Sequence, residues 1–189
     1  RPFFLAVSSV VAHKNFSLIA KALQACPPDA GFDVAIAGGT NSRIFGKAAG
    51  ANDARIKWLG YVSNEQLRAL YEGAAAFLFP SRYEGFGLPP LEAMSFDCPV
   101  ICSSGASLPE ICGDAVLYID PYDAGALRDA MLRLLSDPQL SEHLRASGRE
   151  RAKRLTWHGA AAELLSQVYR AHAVEPPVDA LRPGGQGVP

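Results

Sequence analysis

Short apolar segments alternate with segments of helical periodicity along this chain, and no other feature constrains the fold as strongly. No hairpin-type turn separates the apolar segments, so successive strands are predicted to be parallel and joined by helices. We therefore expect an α/β fold, a doubly wound, Rossmann-like parallel six-stranded sheet with helices on both faces. The predicted strands are 3–8, 32–37, 56–59, 74–79, 100–102 and 115–119.

Capping residues and prolines mark the helix boundaries. Ser63, with Gln66 three residues later, forms a capping box, which predicts a helix that starts there. Pro99 cannot continue a helix and separates one from the next strand. The segment 40–52 is polar and rich in small residues and predicts at most one weak helix. The predicted helices are 14–25, 63–71, 88–96, 108–112, 123–135, 138–155 and 157–173.

Length and composition predict one domain, residues 1–174, followed by a Pro- and Gly-rich tail at 175–189 that is expected to be flexible. The net charge is −1 with both signs interspersed, which disfavours nucleic acid or an anionic membrane as a partner. No window approaches the roughly 18 apolar residues of a membrane span. The chain opens directly on a strand without an initial Met, which is typical of a piece of a longer protein.

The cysteines indicate the redox environment. Cys26, Cys98, Cys102 and Cys112 form no C-x-x-C pair and lie in apolar or helical segments. Buried free thiols are therefore favoured over a disulfide framework or a zinc site. Free thiols persist where the surroundings are reducing, so the cytoplasm is the expected location.

The segment 79–94 combines a strand end, a glycine-rich loop and a helix start. Gly85 and Gly87 allow the backbone to approach a ligand closely, and the helix start offers free N–H groups and a positive dipole end to a phosphate. Glu84 and Glu92 bracket this turn, and a phosphate would disfavour carboxylates beside it. We therefore expect them to face other groups of the same ligand, such as sugar hydroxyls.

Several common nucleotide and catalytic motifs are absent from the sequence. The turn after the first strand, residues 8–14, reads Ser-Ser-Val-Val-Ala-His-Lys rather than G-x-G-x-x-G, which disfavours classical NAD binding. The P-loop pattern, the H-E-x-x-H metal motif and the G-x-S-x-G nucleophile elbow are also absent.

The two glutamates eight residues apart, Glu84 and Glu92, are the signature by which the chain resembles the C-terminal, donor-binding half of a GT-B glycosyltransferase of family 4 (group 1). Each matching segment is weak alone, but their order and spacing together are specific to the family. The resemblance runs from about residue 3 to residue 157. The matching segments are 14–15, 37–39, 60–63, 79–87, 107–110 and 120–123.

The resemblance implies binding of a nucleotide-sugar donor and transfer with retained configuration, without a metal or other cofactor. The N-terminal half, expected outside this chain, would bind the acceptor and provide any membrane association. The Lys14-Asn15 form favours GDP-mannose or a deoxysugar nucleotide among NDP-sugars, and hence a mannosyltransferase of polysaccharide biosynthesis acting on a glycan or lipid-linked saccharide. This domain alone is expected to bind without turnover, because such sites close between two halves.

The family pattern also implies roles for individual residues. Glu84 would bind a hydroxyl of the donor sugar and is the candidate catalytic residue, whereas Glu92 would bind the ribose hydroxyls. Lys14 would bind the diphosphate. The backbone along the sugar and diphosphate would be that of Gly85, Phe86, Gly87 and Leu88. The base would lie near Tyr61 and Val62. At the end of a central strand, where a ligand comes close, the candidates are Gly38 and Gly39.

By residue type alone, more ordinary roles would be favoured. Glu84 would be a solvated loop residue, Glu92 a surface helix position and Lys14 a surface lysine in a first helical turn. His13 and Arg82 lie beside the motifs and are weaker candidates for phosphate contacts. The nearby aromatic residues are interpreted as packing residues rather than as a platform for the base; they are Phe45, Trp58 and Tyr61.

Three positions depart from the family pattern. Ser9 stands where an arginine usually contacts the diphosphate. Pro90 removes a backbone N–H from the first helical turn, and Pro89 removes a second, so anion binding would depend on the amides of Gly87 and Leu88, with Leu91 as a further candidate. Asp97 replaces a glycine but tolerates the left-handed conformation at modest strain.

Two alternative functions stay open: a sugar-nucleotide epimerase of the same fold and a non-catalytic nucleotide-binding or interaction module.

Overall fold

The computed structural model describes residues 1–7, 11–39 and 53–172. The chain divides into two compact units, one from Arg1 to Arg151 and one that starts at Ala152, and each is described by itself. The predicted weak helix within 40–52 and the predicted tail at 175–189 lie outside the described residues, so both stay predictions.

The first unit is built on a parallel sheet. Its strands are β1 Phe3–Val7, β2 Asp33–Ala37, β3 Ile56–Gly60, β4 Ala76–Phe79, β5 Val100–Ser103 and β6 Leu117–Ile119. They form one six-stranded sheet in the order β3-β2-β1-β4-β5-β6, and every neighbouring pair is parallel. The predicted doubly wound α/β fold is therefore confirmed.

Strands β4 and β6 begin two residues later than predicted, at Ala76 and Leu117, because the residues before each strand complete a turn. The N–H of Ala74 donates to the carbonyl of Tyr71 at 3.3 Å and ends the preceding helix. The N–H of Ala115 donates to the carbonyl of Cys112 at 3.2 Å. These residues are apolar like the strands that follow, so hydrophobicity alone did not distinguish them.

The helices follow the predicted order. They are α1 Phe16–Gln24, α2 Asn64–Gly73, α3 Leu88–Ser95, α4 Leu108–Cys112, α5 Ala124–Ser136, α6 Pro138–Arg154 and α7 Trp157–Ala171. The capping box of α2 is confirmed, since the hydroxyl of Ser63 accepts the N–H of Gln66 while the side chain of Gln66 accepts the N–H of Ser63. No helix among the described residues has the length and apolar character needed to cross a membrane.

Lys14 does not lie on α1, and the predicted helix start at residue 14 is wrong. A short 3-10 helix, Ala12–Lys14, precedes Asn15, and Asn15 adopts a left-handed conformation with φ 58°. A left-handed residue interrupts a right-handed helix, so α1 starts at Phe16, directly after Asn15.

The first face of the sheet is covered by α1 and α5. Alternate residues of a strand point to opposite faces. Phe4 of β1 and Leu78 of β4 belong to a buried apolar cluster with Ile19 of α1 and with Leu127 and Met131 of α5. All five side chains are at most 1% exposed, so this face is a continuous hydrophobic core.

The opposite face holds a set of packed aromatic rings. Tyr71 of α2 packs edge-on against Phe77 of β4, with 5.4 Å between the ring centroids, and stacks on Phe96 at 5.8 Å. Phe79, at the end of β4, stacks on Phe77 at 5.8 Å. These contacts support the strand end from which the segment 80–87, here called the central loop, leaves the sheet.

The four cysteines are free and buried, as predicted. Burial raises the pKa of the Cys98 thiol to about 12. The thiol form is therefore strongly favoured at neutral pH, and this cysteine behaves as a small apolar core residue.

An ion pair in the turn before β3 is hydrogen-bonded to the end of α1. The guanidinium of Arg55 contacts both carboxylate oxygens of Asp53, at 2.9 and 2.7 Å, and also donates to the carbonyl of Leu23 at 2.6 Å. The Asp53 and Arg55 side chains are 15% and 13% exposed. The hydrogen bond from Arg55 holds the pKa of the Asp53 carboxyl below its usual range.

Asp53→Asn is expected to lower the free energy of unfolding by about 1–2 kcal/mol at neutral pH, because it removes a charge-assisted pair. The pKa of Asp53 is lower in the folded than in the unfolded chain. This stabilisation is therefore complete above about pH 4 and is lost as the pH falls through the lowered pKa. Urea unfolding across this range should show the stabilities of parent and variant converging in acid.

The exposed pair of Arg68 and Glu72 provides a control, because its side chains are 65% and 49% exposed. Glu72→Gln should leave the free energy of unfolding almost unchanged, because solvent screens so exposed a pair. A difference between the parent and Asp53→Asn that stays constant with pH would contradict the assigned role of the pair.

Candidate functional site

The site lies at the carboxyl-terminal edge of the sheet, where the strand order reverses. β1 is followed by the segment that carries Lys14, and β4 is followed by the central loop. Because β1 and β4 are parallel neighbours, these two segments leave the sheet side by side. In doubly wound sheets, ligands bind in the crevice at this point.

Lys14 and Glu84 meet at this crevice. The ammonium of Lys14 donates to Oε1 of Glu84 at 2.7 Å, and it lies 5.0 Å from the centre of the Phe79 ring. The side chains are only 15% and 11% exposed. The ordinary interpretations of Glu84 as a solvated loop residue and of Lys14 as a surface lysine in a first helical turn are therefore wrong.

Two glycines of the central loop, Gly85 and Gly87, differ in whether the position could accept a side chain. Gly87 has φ 111° and precedes α3, and a Cβ added there would lie 2.9 Å from Cδ2 of Leu108. Gly85 has no such constraint, since a Cβ added there would have nothing within 4 Å. Gly87 is thus needed for the turn, whereas Gly85 leaves open space beside the backbone.

Ser107, just before α4, holds the loop between these glycines. Its hydroxyl contacts the carbonyl of Phe86 at 2.8 Å and the carbonyl of Glu84 at 3.1 Å. A serine hydroxyl has a single hydrogen, so the two carbonyls share one donor. The sequence assigned Ser107 no role, although it lies in one of the segments that carry the family resemblance.

The start of α3 faces the same edge. Pro89 and Pro90 lack an N–H, so the backbone donors of residues 87–90 belong to Gly87 and Leu88. The side chains of Phe86 and Leu88 are 48% and 50% exposed. The helix dipole adds partial positive charge here, which favours an anion.

Glu92 lies one turn further along α3. Its side chain is exposed, and its Oε2 accepts a long hydrogen bond of 3.4 Å from the hydroxyl of Tyr71. Tyr71 is fully buried, and burial raises the pKa of its phenol far above the ordinary value. Tyr71 therefore stays protonated and acts as a donor to Glu92, a contact that no sequence pattern indicated.

The remaining predicted contacts lie at the ends of β2 and β3. Gly38 has φ 127° and donates its N–H to the carbonyl of Gly60 at 2.8 Å. A Cβ added at Gly39 would lie 2.9 Å from the hydroxyl oxygen of Tyr61. Tyr61 is 89% exposed, so its interpretation as a packing residue is wrong; Val62 is half-buried.

His13 and Arg82, the weaker candidates for phosphate contacts, both contact loop residues. The carbonyl of His13 accepts the N–H of Arg82 at 2.8 Å, and the guanidinium of Arg82 lies 5.4 Å from the centre of the Tyr122 ring. Ser9, the position where the family usually has arginine, lies outside the described residues. Asp97 has φ 57°, so the expected left-handed turn is present.

Asn15 belongs to a segment that matches the family, but the sequence predicted no contact for its side chain. Its side chain is 3% exposed, and its amide nitrogen donates to the carbonyl of Pro80 at 3.0 Å and to that of Pro121 at 2.7 Å. Its partners are 65 and 106 residues away along the chain, so no local pattern indicates them. Within the described residues, no group of three or more His, Cys, Asp or Glu side chains is arranged to hold a metal ion.

The parallel sheet with a polar crevice at its order reversal defines a Rossmann-like domain of the kind found in GT-B glycosyltransferases. Residues 1–151 match the family described as Glycosyl transferases group 1. The chain belongs to this family, and the resemblance inferred from the spaced glutamates is confirmed.

Curated relatives and a solved structure agree with this assignment. O-antigen chain mannosyltransferase B of Escherichia coli is 44% identical over 117 residues, 62% of this chain and 31% of that protein. MMP alpha-(1->4)-mannosyltransferase of Mycolicibacterium hassiacum is 34% identical over 116 residues, 59% of this chain and 28% of that protein. Sucrose-phosphate synthase from Thermosynechococcus elongatus superimposes with a TM-score of 0.77 at 30% identity, covering 91% of this chain and 45% of that one. The matched regions therefore span less than half of each relative.

Gly87→Ala is expected to lower the free energy of unfolding by about 1–3 kcal/mol, because alanine is strained at positive φ. Gly85→Ala is the matched control, two residues away in the same loop, and should change stability by only about 0.5 kcal/mol. Urea unfolding of both variants measures the difference. Equal destabilisation by the two substitutions would contradict the separate requirements assigned to these glycines.

Proposed function

We propose that this chain is the donor-binding domain of a retaining, metal-independent glycosyltransferase that uses a nucleotide-sugar. The contact of Lys14 with Glu84, 2.7 Å apart beside the start of α3, is the observation that carries the proposal. An ammonium suits an anionic diphosphate, whereas a carboxylate suits neutral hydroxyls. Adjacent groups of opposite character therefore match the junction between the sugar and the diphosphate of one donor.

During transfer, the bond between the sugar and the diphosphate oxygen breaks, negative charge grows on the leaving diphosphate, the acceptor oxygen bonds to the same sugar carbon, and the acceptor's proton passes to the diphosphate. Lys14 and the amides of Gly87 and Leu88 would stabilise that charge, together with the dipole of α3. Glu84 would orient the sugar by accepting hydrogen bonds from its hydroxyls. These roles require neither a nucleophile nor a general base from this chain.

Glu92 is proposed to bind the ribose diol of the nucleotide. A carboxylate can accept a hydrogen bond from each of two neighbouring hydroxyls, and each charge-assisted bond contributes about 1.5–3 kcal/mol. The hydroxyl of Tyr71 restricts the Glu92 carboxylate from the side of α2. Gly38, Gly39, Tyr61 and Val62 are proposed to surround the base, since they lie at the neighbouring strand ends.

GDP-mannose is the proposed donor, and a glycan or lipid-linked saccharide the proposed acceptor. Support comes from the names of the relatives, which include two O-antigen chain mannosyltransferases. The rest of the full-length protein would bind the acceptor and provide any membrane association. The buried free thiols support a reducing, cytoplasmic location. We also propose that the domain extends over residues 1–174, with a flexible tail at 175–189.

Calorimetric titration with GDP, UDP, GDP-mannose and UDP-glucose tests this function. At least one nucleotide and its sugar conjugate should bind at submillimolar concentration, with a preference for the guanine pair. Absence of heat from every ligand at millimolar concentration would contradict nucleotide-sugar binding. Nucleotide binding by a full-length protein that transfers no sugar would instead indicate a non-catalytic module.

The two glutamates should affect different parts of the ligand. Glu92→Ala is expected to weaken binding of both GDP and GDP-mannose about tenfold or more, because it removes ribose contacts. Glu84→Ala should weaken only GDP-mannose by a similar factor. Calorimetry with the two ligands separates these effects.

Glu142, an exposed residue of α6, provides the control, and Glu142→Ala should leave both affinities unchanged. Equal losses for GDP and GDP-mannose in both site variants would contradict the proposed division of roles between Glu84 and Glu92.

A further inference from the structure

Asn15 combines an unusual backbone conformation with a buried polar side chain. It has φ 58° and ψ 36°, and it lies between the short 3-10 helix and α1. Its side chain is 3% exposed, although asparagine is mostly a surface residue. A buried amide is costly unless its hydrogen bonds are made, so its contacts must stabilise this arrangement.

The Asn15 amide joins three segments that leave the sheet at the same edge. It lies in the segment after β1, and its Nδ2 donates to the carbonyl of Pro80, after β4, at 3.0 Å. The same nitrogen donates to the carbonyl of Pro121, after β6, at 2.7 Å. An amide NH₂ has two hydrogens, and these two bonds use both.

This link lies next to the pair that defines the proposed site. Lys14 directly precedes Asn15, and Glu84 is four residues beyond Pro80 in the central loop. The N–H of Arg82, which donates to the carbonyl of His13 at 2.8 Å, joins the same two segments a second time. The segments that carry the ammonium and the carboxylate are therefore connected through bonds other than the ion pair itself.

We propose that Asn15 is a positioning residue that holds Lys14 and Glu84 at contact distance. Asparagine meets both requirements of the position, since it tolerates a left-handed backbone and supplies two side-chain donors. Glycine meets only the first requirement. Aspartate would also tolerate the backbone, but it would place carboxylate oxygens against two carbonyl oxygens. The role of Asn15 in donor binding rests on the function proposed above, whereas its effect on the ion pair does not.

The direct test measures the coupling between Lys14 and Glu84 by a double-mutant cycle. Urea unfolding of the parent, Lys14→Met, Glu84→Gln and the double variant gives four equilibrium constants for unfolding. The coupling is the factor by which the effect of one substitution on this constant changes when the other substitution is present. We expect a factor of about five with Asn15 present, and a factor near one in the Asn15→Gly and Asn15→Asp backgrounds. Coupling that persists in both backgrounds would overturn the proposal.

The pair of Asp53 and Arg55 is the matched control, since its contact is also 2.7 Å and its side chains are similarly buried. Arg55 contacts the carbonyl of Leu23 near the end of α1, so a general loosening of α1 would weaken this pair too. A positioning role predicts that the Asp53–Arg55 coupling keeps its value in the Asn15→Gly background. Equal loss of both couplings would indicate a merely structural role and overturn the proposal.

A measurement on the parent protein covers the case in which the Asn15 variants fail to fold. Both side-chain amide hydrogens of Asn15 are donated to carbonyls in a buried environment. They should therefore exchange with solvent at least tenfold more slowly than the amide hydrogens of Asn64, which lies on the surface at the start of α2. Exchange at the same rate as Asn64, measured by NMR, would overturn the proposal.

Titration with GDP then separates this inference from the proposed function. If both hold, Asn15→Gly and Lys14→Ala each weaken GDP binding, and the double variant binds no more weakly than the worse single variant. If no nucleotide binds the parent, the proposed function fails, and the unfolding cycle still decides the role of Asn15. If GDP binding depends on Lys14 but is unchanged in Asn15→Gly, the positioning role fails while the proposed function stands.

Discussion

Parallel pairing of β1 with β4 is the constraint on which the site depends. The two strands are far apart in the sequence but adjacent in the sheet, and both carboxyl ends lie at one edge. Their following segments are consequently brought together by backbone hydrogen bonds of the sheet before any side chain contributes. The ammonium of Lys14 from one segment can then meet the carboxylate of Glu84 from the other, beside the ring of Phe79.

The fold was largely predictable because apolar runs and capping residues report local structure. The six strands, their parallel arrangement and the capping box of α2 all follow from patterns within a few residues. Errors of one or two residues occurred at strand starts and at Lys14, where a turn or a left-handed residue changes the conformation without changing hydrophobicity. Such boundaries depend on individual backbone hydrogen bonds, which the sequence does not display.

The candidate site was predictable in part. The glutamates, Lys14 and the glycines were identified from spacing and family resemblance, and the structure brings Lys14 to Glu84. The contacts of Asn15, Ser107 and Tyr71 were not identified, because their partners are distant in sequence and in two cases are backbone carbonyls. A carbonyl is present at every residue, so sequence alone cannot indicate which one will be a partner.

The short helix α4 links the central loop to α6. At its start, Ser107 contacts two carbonyls of the central loop, and at its end Arg151 donates to the carbonyls of Ile111, at 2.8 Å, and of Glu110. α4 is therefore hydrogen-bonded to the central loop at its start and to α6 at its end. The backbone beside Glu84 is thus connected through α4 to a helix that supplies none of the residues named at the site.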